Sequence, residues 1–272
     1  MLSVRYGLDQ SARHVRLWES GHLAGYGHLD PGDPADPAQE PAGELVIRPS
    51  ARRRGLGRAL GTALVAEAGG RQLRLWAHGD LAAATALAAA AGFRRSRALW
   101  QMRRPLAAPL TEPQVPAGVT VRTFVVGLDE DAWVEVNHRA FASHPEQGSW
   151  TRADLELRER EPWFDPDGFF LAERDQGLAG FHWTKVHGGQ AGSAASGEVY
   201  VIGVDPAEQG SGLGRALTLI GLRYLRGEGL PEVMLYVDET NVGAIGLYES
   251  LGFEHVATDV MFSGGDATGR LA

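Results

Sequence analysis

Apolar and polar positions alternate along His14–Glu19 and again along His22–Leu29, with Ser20-Gly21 between them. That pattern predicts a β-hairpin. Asp30–Gly43, rich in Pro, Asp and Gly, predicts a loop. A short strand is expected at Glu44–Ile47, a helix over Arg58–Ala68, a strand over Leu73–Ala77 and a helix over Leu81–Ala91, which Gly92 stops. Pro105–Pro116 carries four prolines in a dozen residues and reads as an interdomain linker.

The second half repeats this order with more at its front. A strand is expected at Val119–Phe124 and helices at Asp129–Ala142 and Thr151–Arg160, the latter N-capped by Thr151. A hairpin follows, Gly168–Glu173 and Leu178–Lys185. Next come a strand at Glu198–Val204, a Gly-rich loop, a helix at Gly214–Arg226, a strand at Val233–Val237 and a helix at Val242–Leu251.

The two halves keep a common frame. Pro49 and Pro206 differ by 157 positions, as do Gly55 and Gly212 in the repeated phrase GLGRAL. Gly92-Phe93 and Gly252-Phe253 differ by 160, and Leu23-Ala-Gly-Tyr26 and Leu178-Ala-Gly-Phe181 by 155. Collinear anchors with small insertions predict a domain-scale duplication. The expected division is 1–104, a linker at 105–117, and 118–272. The first copy has no counterpart to the segment from Gly118 to about Trp163, so it lacks an opening strand and two helices. Either the chain starts short or its true start lies upstream.

Composition narrows the class. The 272 residues suit two ordinary domains, and 44% hydrophobic content suits ordinary cores. A formal charge of −8, with Arg52-Arg-Arg54 as the one basic cluster, argues against nucleic acid as a partner. That triplet borders the first Gly-rich loop, where it either contacts phosphate or is a solvated helix start. The chain has no cysteine, which removes disulfides, thiolate catalysis and Cys-ligated zinc. No run of membrane length and no signal peptide is evident, so a cytoplasmic monomer is expected. His138, His144, His182 and His187 fit no compact zinc spacing, and no metal is expected. Trp133, Trp150, Trp163 and Trp183 read as core or pocket wall, and Asp165 and Asp167 as turn formers.

The chemistry concentrates after the strand ending in Ile202-Gly203-Val204. There Gln209-Gly210-Ser211-Gly212-Leu213-Gly214-Arg215 opens a helix, and helix-start N–H groups favour an anion. This segment resembles the pyrophosphate loop of the GNAT acetyltransferases, which bind acetyl-CoA. Backbone N–H groups of Ile202, Gly203 and Val204 suit a thioester carbonyl, and Gly203 invites a bulge. Glu198, opening that strand, can accept an ammonium proton directly or through water.

More specifically, His144-Pro-Glu-Gln-Gly148, Trp163-Phe-Asp-Pro-Asp-Gly168, Gly180-Phe-His-Trp-Thr-Lys-Val-His187, Gly197-Glu-Val-Tyr-Val201 and Leu235-Tyr-Val237 together resemble the mycothiol synthase family. The resemblance runs from His14 onward and includes the tandem architecture. It implies an α/β (α+β) fold of two tandem GNAT-like domains, each a mixed, mostly antiparallel sheet flanked by helices. The implied reaction is acetyl transfer from acetyl-CoA to the free cysteinyl amine of a cysteinyl-glucosaminyl-inositol, by direct attack in a ternary complex.

In that frame Tyr248 is the acid for the departing thiolate and Glu198 the base. Asn241 and the following Val242, Gly243, Ala244, Ile245 and Gly246 contact CoA, and Glu146, Lys185, Glu198 and Tyr236 bind the acceptor. The family also draws an acidic acceptor contact from its N-terminal domain, in the part that has no counterpart here. Ala88 and Leu81 stand where the first copy would need the Tyr and the Asn, so that copy reads as non-catalytic. It can still hold acetyl-CoA through Leu45, Val46 and Ile47 with Arg53, Arg54, Gly55, Leu56, Gly57 and Arg58, as the resemblance implies. The alternatives are a GNAT enzyme for another amine, such as a protein N-terminus, and a non-catalytic acetyl-CoA-binding module.

Overall fold

The structure, a computed structural model, describes residues 12–33, 35, 40–142, 147–189 and 194–265. The strands are β1 (Arg13–Glu19), β2 (His22–Asp30), β3 (Ala42–Ile47), β4 (Leu73–Ala77), β5 (Arg94–Pro105), β6 (Thr120–Thr123), β7 (Phe169–Arg174), β8 (Gly177–His187), β9 (Ser196–Val204), β10 (Glu232–Asp238) and β11 (Glu254–Gly264). The helices are α1 (Leu56–Glu67), α2 (Ala82–Ala90), α3 (Glu130–Ala140), α4 (Arg152–Glu159), α5 (Leu213–Gly227) and α6 (Val242–Ser250).

Packing divides the described chain into two units. Unit 1 runs to Trp100 and adds Asp238–Thr240 and the residues from Ala257 on; unit 2 holds Gln101–Val237 and Asn241–Val256. Unit 1 orders its strands β1-β2-β3-β4-β11 and then β5 up to Trp100. Unit 2 begins with the remainder of β5 and continues β10-β9-β8-β7-β6. In both units one strand pair is parallel, β3 with β4 and β10 with β9; the other registered pairs are antiparallel.

The elements form for local reasons that the chain spells out. α4 begins with a capping box, in which Thr151 accepts from the Asp154 N–H and Asp154 accepts from the Thr151 N–H. Such a cap is worth about 1 kcal/mol. α5 buries Leu213, Leu217, Leu222 and Leu225 and packs against β8 and β9. Fully burying each leucine stabilises by roughly 1.5–3 kcal/mol. On the other face of unit 2, Trp133 from α3 meets Phe181, Phe169 and Trp183 with ring centroids 5.2, 5.9 and 6.1 Å away. Unit 1 has a smaller core built on Leu29, Leu64, Leu73, Phe93, Val260 and Phe262.

Two strands, β5 and β11, have no counterpart among the sequence-based elements. β5 carries five arginines, which conceal its buried positions Ala98, Met102 and Arg104. The buried Arg104 guanidinium donates to the Leu251, Ala108 and Pro109 carbonyls at 2.5, 3.2 and 3.3 Å. β11 pairs with β4 from Val260↔Ala77 to Gly264↔Leu73, so unit 1 takes the last strand of the second repeat. No helix among the described residues is long and apolar enough to cross a membrane.

Candidate active site

In unit 2, β9 empties through Asp205 into a 3-10 turn at Pro206–Glu208 and then the glycine loop. Asp205 caps that turn by accepting from the Ala207 N–H at 3.0 Å. Arg139 holds Asp205, and Arg174 grips Glu208 with both guanidinium ends, at 2.6 and 2.9 Å. Gly210 and Gly212 adopt φ of +80° and +90°, a left-handed conformation that costs other residues about 1–2 kcal/mol. Ser211 Oγ donates to the Glu208 carbonyl and accepts from the Leu213 N–H. The first N–H groups of α5 lack intrahelical partners and carry the positive end of its dipole, which suits a diphosphate. Arg215, one turn in, donates to Ser250 Oγ on α6 at 2.7 Å. The Asn241 side chain caps α6 by accepting from the Ala244 N–H.

β9 and β10 are in register only at Val233↔Gly197 and Met234↔Glu198, although both strands run on. Beyond Glu198 the β10 side of β9 has no registered strand partner among the described residues. By the alternation of the β8–β9 ladder, the N–H groups of Ile202 and Val204 open onto that side, whereas that of Gly203 faces β8. The expected bulge at Gly203 is corrected. The register shift lies between Trp183 and Thr184, opposite Val199 and Val201, so Tyr200 is the extra residue while Gly203 pairs regularly with Phe181. Gly203 is small for a packing reason: a Cβ there would meet the Phe181 ring at 2.7 Å.

Glu198 sits within the strand, buried, with its side chain 11% exposed. The expectation of a strand-end position is thus corrected, because β9 starts two residues earlier, at Ser196. Its Oε2 lies 2.6 Å from His187 Nε2. Lys185 is the cross-strand partner of Glu198, and its ammonium lies 4.3 Å from the Trp163 ring centroid and 5.0 Å from that of Tyr200. Tyr236, half exposed, accepts from Gln101 Nε2 at 3.2 Å. Tyr248 is buried on α6, edge-on to Phe253, and burial pushes its phenol up to about 12. Glu146 and His144 lie outside the described residues.

The other histidines singled out in the sequence have structural partners. His138 Nε2 is 2.7 Å from the Trp150 carbonyl, and His182 Nδ1 is 2.8 Å from that of Leu217. Burial pushes His182 down to about 4, against the opposing pull of the Leu217 bond. Asp165 accepts from both the Asp167 N–H and the Tyr224 hydroxyl. The His187–Glu198 contact escaped sequence reasoning, because an eleven-residue separation acquires meaning only through the β8–β9 register.

Unit 1 contains a cavity of about 510 Å³ lined by Leu45, Val46, Ile47, Gly57 and Arg58 and by α2, including Ala88. Arg53, Arg54, Gly55 and Leu56 are not part of its lining. Arg54 pairs with Glu19 at 2.5 Å, and Arg53 has a φ of +64°. Glu44 and His78 also face the cavity, 2.8 Å apart. Burial pulls the His78 imidazole down, but hydrogen bonds to Glu44 and Asp259 outweigh it and hold the group above its ordinary value.

Known proteins share this plan. The acetyltransferase (GNAT) family model matches twice, over residues 3–93 and 133–253. The mycothiol acetyltransferase of Acidothermus cellulolyticus is 57% identical over 99% of this chain and 86% of its own length. That of Thermomonospora curvata is 59% identical over 96% and 84%. Among solved structures, a GCN5-related N-acetyltransferase from Sphaerobacter thermophilus superposes with a TM-score of 0.77 at 26% identity, covering 97% of this chain and 84% of that one. Two glycine-loop units and relatives of this identity over nearly the whole length lead to one assignment: the chain belongs to the GNAT acetyltransferase family, in the branch of the mycothiol acetyltransferases.

Proposed function

We propose that unit 2 transfers the acetyl group of acetyl-CoA to the free amine of a cysteinyl-glucosaminyl-inositol, the step that yields mycothiol. The observation that carries the mechanism is a buried carboxylate, Glu198, at the residue where β9 and β10 part, on the strand that leads into the glycine loop. The diphosphate rests on the glycine loop Gln209–Arg215 at the start of α5, and Asn241 and the first turn of α6 flank the cofactor. The thioester carbonyl takes a backbone N–H group from Ile202 or Val204, on the open side of β9. Glu198 removes a proton from the ammonium group, the amine attacks, and Tyr248 protonates the departing thiolate. Lys185, Tyr236 and Glu146 hold the polyol of the acceptor.

Release of CoA by the full chain, with cysteinyl-glucosaminyl-inositol compared against peptide amines, tests this directly. Turnover confined to the sugar-linked cysteine supports the reading, and a preference for peptide amines replaces it with a different GNAT specificity. Binding of acetyl-CoA without turnover of any amine leaves a non-catalytic module.

Unit 1 holds a second acetyl-CoA without using it, a role supported by its cavity beside Leu45–Ile47 and by Ala88 in the place of the acid. Dependence on acetyl-CoA supports a cytoplasmic location, and the two-unit chain is read as a monomer, which light scattering in solution checks.

A further inference from the structure

Acetylation of an ammonium group removes two protons from nitrogen. One ends on the sulfur of CoA, and the other has to leave a site whose base, Glu198, is buried. The groups facing Glu198 differ in what they can accept. Lys185, its cross-strand neighbour, is cationic and lies over the Trp163 ring. The phenol of Tyr200 is pushed up by burial and lies 3.3 Å from Arg158 Nε. The imidazole of His187 differs from both: Nε2 is 2.6 Å from Glu198 Oε2, and the side chain is 40% exposed against 11% for the glutamate. It bridges a dry carboxylate and water, and imidazole is the side chain that gains and loses protons most readily near neutral pH.

We propose that His187 is a positioning and relay residue that carries the proton collected by Glu198 out to solvent. The proposal rests on the reading of Glu198 as the base. The ammonium N–H bond breaks as the Glu198 O–H bond forms. The relay uses the Nδ1–H tautomer, in which Nε2 is unprotonated: the Glu198 O–H bond breaks as His187 Nε2 takes the proton, giving an imidazolium whose Nδ1–H is released to water. Neutral imidazole returns to its starting tautomer by exchange with solvent, and no oxidant or further reactant is needed.

The test is steady-state CoA release by the full chain carrying His187→Ala or His187→Gln, each with and without added imidazole. Gln offers an amide donor to Glu198 but cannot relay a proton. The expected result is a fall in kcat of about a hundredfold, the lower end of acid–base contributions, in both variants, with KM for acetyl-CoA unchanged. Imidazole restores much of the rate to His187→Ala. A parental kcat in either variant, or failure of imidazole to restore His187→Ala, overturns the relay; thermal melting identifies an unfolded alanine variant, in which case the glutamine variant decides. Glu198→Gln separates the two ideas. If it keeps turnover, the base reading falls and the relay with it; if it loses turnover while His187→Ala and His187→Gln do not, the relay alone falls.

Discussion

The two units share a scaffold down to individual hydrogen bonds, yet differ where chemistry and packing demand it. Arg58 reaches the Ala90 carbonyl at the end of α2, and Arg215 reaches Ser250 at the end of α6. The Arg48 N–H donates to the Ala24 carbonyl, and that of Asp205 to Ala179. Gly55 and Gly212 cap their helices at φ of +81° and +90°. Against this background, the strand fork opens two positions earlier in unit 2, after Met234, whereas unit 1 stays paired through Trp76, which aligns with Tyr236. The interface of sheet and helix is inverted in size. In unit 1 a Cβ on Gly27 would sit 3.1 Å from Leu64, while in unit 2 the aligned positions hold His182 against Gly221, where a Cβ would meet the ring at 2.2 Å. Duplication preserved the turns and left the side-chain partners free to diverge in pairs.

This contrast can be broken experimentally. Glu198→Gln and Tyr248→Phe should each lower kcat by roughly 10²–10⁴-fold with acetyl-CoA binding nearly intact, measured by CoA release and calorimetry. Ala88→Tyr in unit 1 should add no turnover. Unchanged activity in the first two variants would remove the functional distinction between the units.

Acid should act on unit 2 through His182. Its folded value of about 4 lies below the ordinary 6.5, so below pH 6.5 the unfolded chain binds a proton that the fold refuses. Stability present above pH 6.5 should decline by about 3 kcal/mol as the pH falls through 4. Denaturant titrations at several pH values, compared with His182→Phe as a reference lacking the titrating group, measure this.

Gly221→Leu should destabilise by about 1–3 kcal/mol through overpacking, and His182→Gly with Gly221→Leu, which imports the unit 1 pair, should recover part of that loss. Thermal melts of the single and double variants decide whether the pair is coupled. The smallest effects concern the loops. Gly212→Val should weaken acetyl-CoA binding to unit 2, and Gly55→Val to unit 1, each by about 1–2 kcal/mol of backbone strain. Calorimetry that shows a single binding event in the parental chain would end the idea of a second occupied cradle.

The site was legible in the sequence wherever it depends on local backbone. Glycines hold positions 55 and 212 because a left-handed φ admits few other residues, prolines open the 3-10 turns because their fixed φ suits a helix start, and Thr151 holds its cap because its side chain accepts from the Asp154 N–H. Repetition in frame then exposed the duplication, and the odd pairs Ala88/Tyr248 and Leu81/Asn241 separated the two copies. What only the tertiary structure decided are relations between distant segments: the insertion of β11 beside β4, the bulge at Tyr200, and the contact of His187 with Glu198. Strand register and partner choice are set by which faces bury together, and that is a property of the assembled sheet rather than of any local run of residues.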